Sequence, residues 1–285
     1  MQRTKRYKNQ VVRKRFGQNF LTDNRILDQI IENSVISEKD FVLEIGPGHG
    51  ALTERLLEKV NKVTAVEIDR DLVEELKDKF KDNDKIDIVS EDILKFDLET
   101  IDFTNYPIEN RKAIGNIPYY ITTPIIMKFI GEKSLRANGI SKTNQIFSEL
   151  IIMMQKEVGE RIVAKPGTKE YGALSVICQY ACHVKTIVEV NRKAFYPAPK
   201  VDSIVISLKM KNEDEHNIED AHTFWKIIHG VFTSRRKTLR NSLKIAGFQE
   251  EQIEKVSKEF DLTVRGETLD LAGFAKLSNI VSSNS

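Results

Sequence analysis

A repeated pairing of short apolar segments with amphipathic ones constrains this chain more than any other feature. Phe41–Ile45 is a run of five residues that ends in Gly46-Pro47-Gly48-His49-Gly50. Ala51 to Val60 then has Leu52, Leu56 and Leu57 at helical spacing, so a helix is expected there. Lys62 to Ile68 is a second strand, and Asp71 to Phe80 a charged helix with Leu72, Val73 and Leu76 facing inward. Ile86 to Val89 is a third strand that closes on Glu91-Asp92. Lys112 to Ile114 is a fourth, followed by a helix after Pro124, and Ser148 to Met154 is a fifth. Strand, helix, strand in this order predicts a mainly parallel sheet with helices on both faces, and ligands at the carboxyl ends of its strands.

The rhythm changes after Gly167. Ala173–Val190 and Val201–Met210 are β-branched segments expected to form an antiparallel pair on the sheet edge. The prolines of Phe195-Tyr196-Pro197-Ala198-Pro199-Lys200 argue against regular structure between them. Beyond an acidic linker the pattern is helical over Thr223–Ser234, Arg236–Ile245, Gln249–Phe260 and Leu271–Val281. The expected fold class is therefore α/β: a Rossmann-like sheet, mainly parallel with an antiparallel edge, plus a small C-terminal helical domain. The expected division is a basic arm over 1–20, a sheet domain over 21–212 and a helical domain over 213–285.

Composition narrows the function classes. A chain of 285 residues, 40% hydrophobic and 30% charged, is long enough for two cores. No apolar run reaches a membrane-spanning length, and the N-terminus lacks the apolar stretch of a secretory signal. Cys178 and Cys182 are expected to be reduced core residues of a cytoplasmic protein. The five histidines, His49, His183, His216, His222 and His229, have no ligand-like spacing, so no metal site is expected. A formal net charge of +2 hides local asymmetry. Arg3, Lys5, Arg6, Lys8, Arg13, Lys14 and Arg15 precede the first acid, and Arg235, Arg236, Lys237, Arg240 and Lys244 form a second cluster. One such cluster is ordinarily solvated surface; two suggest a polyanion-binding protein.

The strand ends carry the chemistry. Gly46, Gly48 and Gly50 in a strand-to-helix turn permit close approach of a ligand. Their spacing is not that of the phosphate-clamping loop, and Pro47 removes an N–H, so a nucleoside bearing an amino-acid moiety suits the loop better than a dinucleotide. Glu67 ends the second strand, where an acid can accept ribose hydroxyls. Asp92 ends the third, where a carboxylate can accept from an adenine amine; alone it would read as a solvated cap. Gly115-Asn116-Ile117-Pro118-Tyr119-Tyr120 follows the fourth. The Asn116 amide and the Ile117 carbonyl can both accept from an exocyclic amine, while Pro118 biases Ile117 toward an extended conformation. Tyr119 offers a face for a base to stack on. Asn-Xaa-Pro also begins ordinary turns, and Tyr119 could equally be core. Taken together, the four strand ends resemble the layout of an S-adenosylmethionine methyltransferase.

Further motifs extend that resemblance. Phe16-Gly17-Gln18-Asn19-Phe20-Leu21, Glu44–Gly50, Val66-Glu67-Ile68-Asp69, Asn116-Ile117-Pro118-Tyr119, Gln155-Lys156-Glu157-Val158 and Phe195–Ser203 together resemble the rRNA adenine dimethyltransferases, the family of the KsgA/Dim-type and Erm-type enzymes. The resemblance covers roughly residues 10–280. It implies cofactor contacts from Asn19, Leu21, Gly46, Glu67, Asp92 and Asn116, and stacking of Phe195 on the target base opposite Tyr119. The segments Phe232–Leu243 and Leu269–Asn279 look more like the small-subunit branch than the Erm branch. Two departures stand out: His49 replaces the usual Leu, and the polar segment 131–145 is longer than in typical bacterial members.

The implied activity is dimethylation of N6 of two adjacent adenosines near the 3′ end of small-subunit (16S-type) rRNA, coupled to subunit maturation. S-adenosylmethionine is the implied cofactor, and the small ribosomal subunit and its rRNA are the implied partners of an expected monomer. Arg13, Lys14, Arg15, Lys200, Arg235, Arg236, Lys237 and Arg240 are the candidate phosphate contacts. Two alternatives stay open at this level: an Erm-like large-subunit (23S) enzyme, and a ribosome-assembly factor with little catalysis.

Overall fold

The computed structural model describes residues 18–131, 140 and 145–283. Arg13, Lys14 and Arg15, with most of the 131–145 insertion, lie outside the described residues. The chain forms two compact units. The first takes in the residues up to Phe129 together with Ile146–Gly159 and Lys185–Lys209; the second takes in Ile130–Gln145, Glu160–Val184 and Met210–Ser285.

The first unit opens with a short strand, β1 (Phe20–Leu21), and helix α1 (Asn24–Asn33), which Asp23 caps by accepting from the Arg25 N–H at 3.0 Å. The alternating core follows: β2 (Phe41–Ile45), α2 (Ala51–Lys59), β3 (Lys62–Glu67), α3 (Arg70–Lys79), β4 (Ile86–Ser90), β5 (Arg111–Asn116), α4 (Thr122–Phe129) and β6 (Glu149–Gln155). Helix α5 (Lys156–Val163) comes next. Strand β2 is buried along its whole length, as expected of a central parallel strand covered on both faces. Val42, Leu56, Val63, Ile114 and Ile151 share one apolar core with Leu27 and Ile30 of α1.

The segment Ala173–Val190, expected as one strand, is a helix followed by a strand: α6 (Ala173–Ala181) and β7 (Cys182–Val190). Val176, Cys178 and Tyr180 are fully buried and Ile177 and Ala181 nearly so. A helix covered on most sides has no polar face to reveal its period. The Ser175 hydroxyl accepts from the Gly172 N–H at 2.9 Å, which fixes its start.

Phe195-Tyr196 also differs from expectation. Despite the nearby prolines it forms a strand, β8 (Phe195–Tyr196), paired antiparallel with β1 so that Leu21 faces Phe195. The main sheet closes with β9 (Ser203–Met210) and has the order β4-β3-β2-β5-β6-β9-β7. Pairs from β4 through β6 are parallel, and β9 runs antiparallel to β6. The chain builds outward from β2 to β4 and then restarts at β5 on the other side of β2. That reversal is a topological switch point, where open sheets of this kind leave a crevice for ligands.

The second unit is built on α6 and the C-terminal helices α7 (Ala221–Thr233), α8 (Leu239–Ile245), α9 (Glu250–Ser257) and α10 (Leu271–Ser282). The Tyr180 ring lies 5.1 Å from Phe224 and 5.6 Å from Trp225. These contacts group 160–184 with the helices, whereas the sequence division places that stretch with the sheet. Helix α8 also starts later than expected, because the Thr238 side chain caps it and the Leu239 N–H bonds the Val264 carbonyl at 2.7 Å. Arg235, Arg236 and Lys237 therefore sit on the turn before it. Both cysteines are free and buried; burial pushes the Cys178 thiol up to about 12. No described helix is long and apolar enough to cross a membrane.

Candidate active site

A cavity of about 360 Å³ opens at the carboxyl ends of β2, β3, β4 and β5. Asn19, Leu21, Gly46, Gly48, Glu67, Asp92 and Asn116 all line it, as do Ile117 and Tyr119. The residues expected from four separate strand ends and the N-terminal segment thus meet in one place, and the volume falls in the range of small-ligand pockets.

The glycine turn shapes its floor. Gly48 sits at φ +58, and a Cβ there would lie 3.1 Å from the Phe20 ring, so the position needs both the left-handed backbone and the missing side chain. Its N–H donates to Glu67 Oε2 at 3.2 Å, while Glu67 Oε1 accepts from the N–H groups of Ile68 and Asp69 at 3.0 Å each. Burial raises the Glu67 carboxyl above its ordinary range, and those N–H groups counter part of the effect. Asp92 is half-buried and uses Oδ1 to accept from the Leu94 N–H at 3.0 Å.

Sequence reasoning does not single out Glu44, yet it also lines the cavity and is 1% exposed. Burial pushes its carboxyl up to about 7; Thr53 and Lys79 oppose the shift and Glu67 adds to it. Among the described residues Glu44 Oε2 completes no hydrogen bond. A charged residue inside the otherwise apolar Phe41–Ile45 is the signal that could have found it. Two buried carboxyls in one cavity favour a cationic ligand, because a positive charge offsets the desolvation that raises both.

Behind the motif of β5, the Asn116 Nδ2 donates to the Asn19 carbonyl at 3.3 Å. This bond orients the amide, so Oδ1 is the end available to accept from a target amine. A Cβ on Gly115 would lie 2.7 Å from the Ile45 carbonyl, so only glycine lets β5 approach β2 this closely. Ile117 is buried, and Tyr119 starts a 3-10 turn. The Tyr119 hydroxyl lies 2.8 Å from Ser203 Oγ. Burial raises the Tyr119 hydroxyl above its ordinary value, with the Ser203 contact opposing.

Phe195 is placed differently from expectation. It is 5% exposed, packs in the core with Leu21 and Leu27, and is not part of the cavity lining. The alternation of β8 explains this: Phe195 turns inward and Tyr196 is left half-exposed. His49, which replaces the usual Leu in the glycine turn, lines the cavity; its Nδ1 lies 3.0 Å from both carboxylate oxygens of Glu75.

The candidate phosphate contacts divide. Arg235 donates to Glu267 at 2.8 Å, Arg240 pairs with Glu250 and Glu254, and Lys244 pairs with Glu250. Their charge is largely compensated within the helical unit. Arg236 and Lys237 are exposed there, and Lys200 is exposed in the sheet unit.

Residues 9–281 match the family described as ribosomal RNA adenine dimethylase. A ribosomal RNA small subunit methyltransferase A of Clostridium acetobutylicum is 44% identical over 270 residues, covering 93% of this chain and 92% of that protein. A Streptococcus pneumoniae protein of the same name is 44% identical over 277 residues, covering 94% and 91%. Among solved structures, a dimethyladenosine transferase from Plasmodium falciparum superposes with a TM-score of 0.72 at 27% identity, covering 90% of this chain and 95% of that one. The 23S rRNA methyltransferase ErmE shares the fold at a TM-score of 0.68 and 22% identity, covering 93% and 100%.

Proposed function

The chain belongs to the ribosomal RNA adenine dimethylase family, and from that premise we propose that it dimethylates N6 of two adjacent adenosines near the 3′ end of small-subunit rRNA, using S-adenosylmethionine. The observation that carries this reading is the meeting of Gly48, Glu67, Asp92 and Asn116 in one cavity. The small-subunit assignment is supported by the names and the identity of the bacterial relatives over more than nine-tenths of the chain.

The lining suits the cofactor. Glu67 is held by three N–H groups so that its carboxylate faces a ribose, and Asp92 can accept from the adenine amine. The buried Glu44 and Glu67 favour a ligand that bears positive charge, and the glycine turn admits its amino-acid moiety. When bound, S-adenosylmethionine supplies an electrophilic sulfonium methyl. The chain's own residues then hold and orient the acceptor. Asn116 Oδ1 and the Ile117 carbonyl accept from the N6 hydrogens, which favours a pyramidal nitrogen and stabilises the positive charge developing on it. Tyr119 stacks on the adenine, which must leave its helix to reach the cavity. Alignment supplies most of the rate, and no strong base is needed, because the methylated ammonium is acidic enough to lose its proton to water.

Arg236, Lys237 and Lys200 provide phosphate contacts with the rRNA. The working unit is a monomer acting in the cytoplasm, where its ribosomal substrate is assembled. Calorimetric titration with S-adenosylmethionine tests the cofactor assignment. Glu67→Ala and Asp92→Ala should each weaken binding at least tenfold, and unchanged affinity in both would place the cofactor elsewhere.

A further inference from the structure

Ser203 begins β9 opposite Gln155 of β6, and it is fully buried. The residue before it is fixed on two sides: the Asp202 carbonyl accepts from the Lys156 N–H at 3.0 Å, and its Oδ1 accepts from the Arg192 N–H at 2.9 Å. Ser203 Oγ is thus held at the start of β9, a strand that lies between β6 and β7 in the sheet. From there it reaches the Tyr119 hydroxyl at 2.8 Å, across 84 residues of sequence. The two tyrosines of the motif differ accordingly. Tyr120 is 66% exposed, whereas Tyr119 is half-buried with its far end tied down.

We propose that Ser203 is a positioning residue for the methyl acceptor, fixing the Tyr119 ring as a still wall against which the target adenine is held through both methyl transfers. The proposal rests on the reading of Tyr119 as the base-stacking residue. The ring's own torsions let it turn about its Cα–Cβ and Cβ–Cγ bonds. The hydrogen bond at the para position opposes the swing about Cα–Cβ, which would carry the hydroxyl away from Ser203, and it places no polar group against the base; rotation about Cβ–Cγ leaves the hydroxyl on its axis and the tether intact. It also accounts for tyrosine rather than phenylalanine at 119. Because burial keeps the phenol protonated, the tether persists over the neutral pH range. The second transfer depends on it most: a monomethylated adenine must stay in place or return while the cofactor is exchanged, so a looser wall favours its release.

The test compares Tyr119→Phe, Ser203→Ala, their double variant, Ser203→Thr and Tyr119→Ala on undermethylated small-subunit particles. Mono- and dimethyladenosine are quantified by mass spectrometry, and cofactor affinity is measured by calorimetry. Tyr119→Phe and Ser203→Ala should each raise the mono-to-dimethyl ratio about three- to tenfold, the worth of one neutral hydrogen bond. The double variant should be no worse than either single one, Ser203→Thr should restore the ratio, and cofactor affinity should stay unchanged throughout. If Tyr119→Ala changes the ratio but Tyr119→Phe and Ser203→Ala do not, the tether is overturned. If Tyr119→Ala leaves the ratio and the KM for RNA unchanged, the stacking role itself fails. Additive losses, or losses accompanied by weaker cofactor binding, would show that Ser203 acts on the fold and not through Tyr119.

Discussion

Replacing Glu44 with glutamine should stabilise the cofactor-free protein at alkaline pH relative to acid pH. The carboxyl is buried and raised to about 7 from an ordinary 4.5. Between those values the folded chain keeps a proton that the unfolded chain releases. Stability therefore falls as pH rises through this window and levels off once the folded form has ionised. The gap of about 2.5 units corresponds to about 3 kcal/mol at 1.36 kcal/mol per unit. Burial is the main cause of that value, with Thr53 and Lys79 opposing the shift and Glu67 adding to it. The glutamine amide cannot ionise, so whatever the substitution costs in packing is the same at every pH. Denaturant unfolding of both proteins at pH 5 and pH 8 spans most of the window. The difference in stability should move by about 2 to 3 kcal/mol in favour of Glu44→Gln. A cationic ligand should act in the opposite direction, with wild-type affinity for S-adenosylmethionine rising from pH 6 to pH 8 relative to the variant. A stability difference that stays constant between pH 5 and pH 8 would show that Glu44 does not hold a proton in the folded chain across this window.

Asn116→Ala removes the oriented acceptor and should lower turnover on the order of a hundredfold, with cofactor affinity by calorimetry changed only modestly. Arg236→Ala with Lys237→Ala should reduce the slope of log affinity for rRNA against log salt by about 1.5, leaving cofactor binding intact. Arg240→Ala should change that slope little, since Glu250 and Glu254 already compensate its charge. Gly115→Ala, which puts a Cβ 2.7 Å from the Ile45 carbonyl, should cost about 1–3 kcal/mol in denaturant unfolding.

Strand ends were legible because two local signals coincide there, an apolar run of strand length and a turn residue or acid that closes it. Glu67, Asp92 and Asn116 could be placed on one sheet edge from that alone, and the structure puts them in one cavity. Ala173–Ala181 was not legible, since burial on most sides removes the polar face that shows a helical period. Phe195 illustrates a different limit. Its motif could be read, but which face of a two-residue strand turns inward depends on its pairing with Phe20–Leu21, far away in sequence. The pairing of Arg240 with Glu250 and Glu254, and of Tyr119 with Ser203, likewise arises only once distant segments meet. Charge clusters read along a sequence overstate free charge for the same reason.

Transfer of labelled methyl from S-adenosylmethionine to undermethylated small-subunit particles, with large-subunit particles in parallel and Asn116→Ala as the control, reads out substrate and activity together. Label is expected in small-subunit rRNA as N6,N6-dimethyladenosine, on adjacent residues near the 3′ end, and almost none with the variant. Label confined to large-subunit rRNA, or no transfer from a protein that binds the cofactor, would rule out small-subunit dimethylation by this chain.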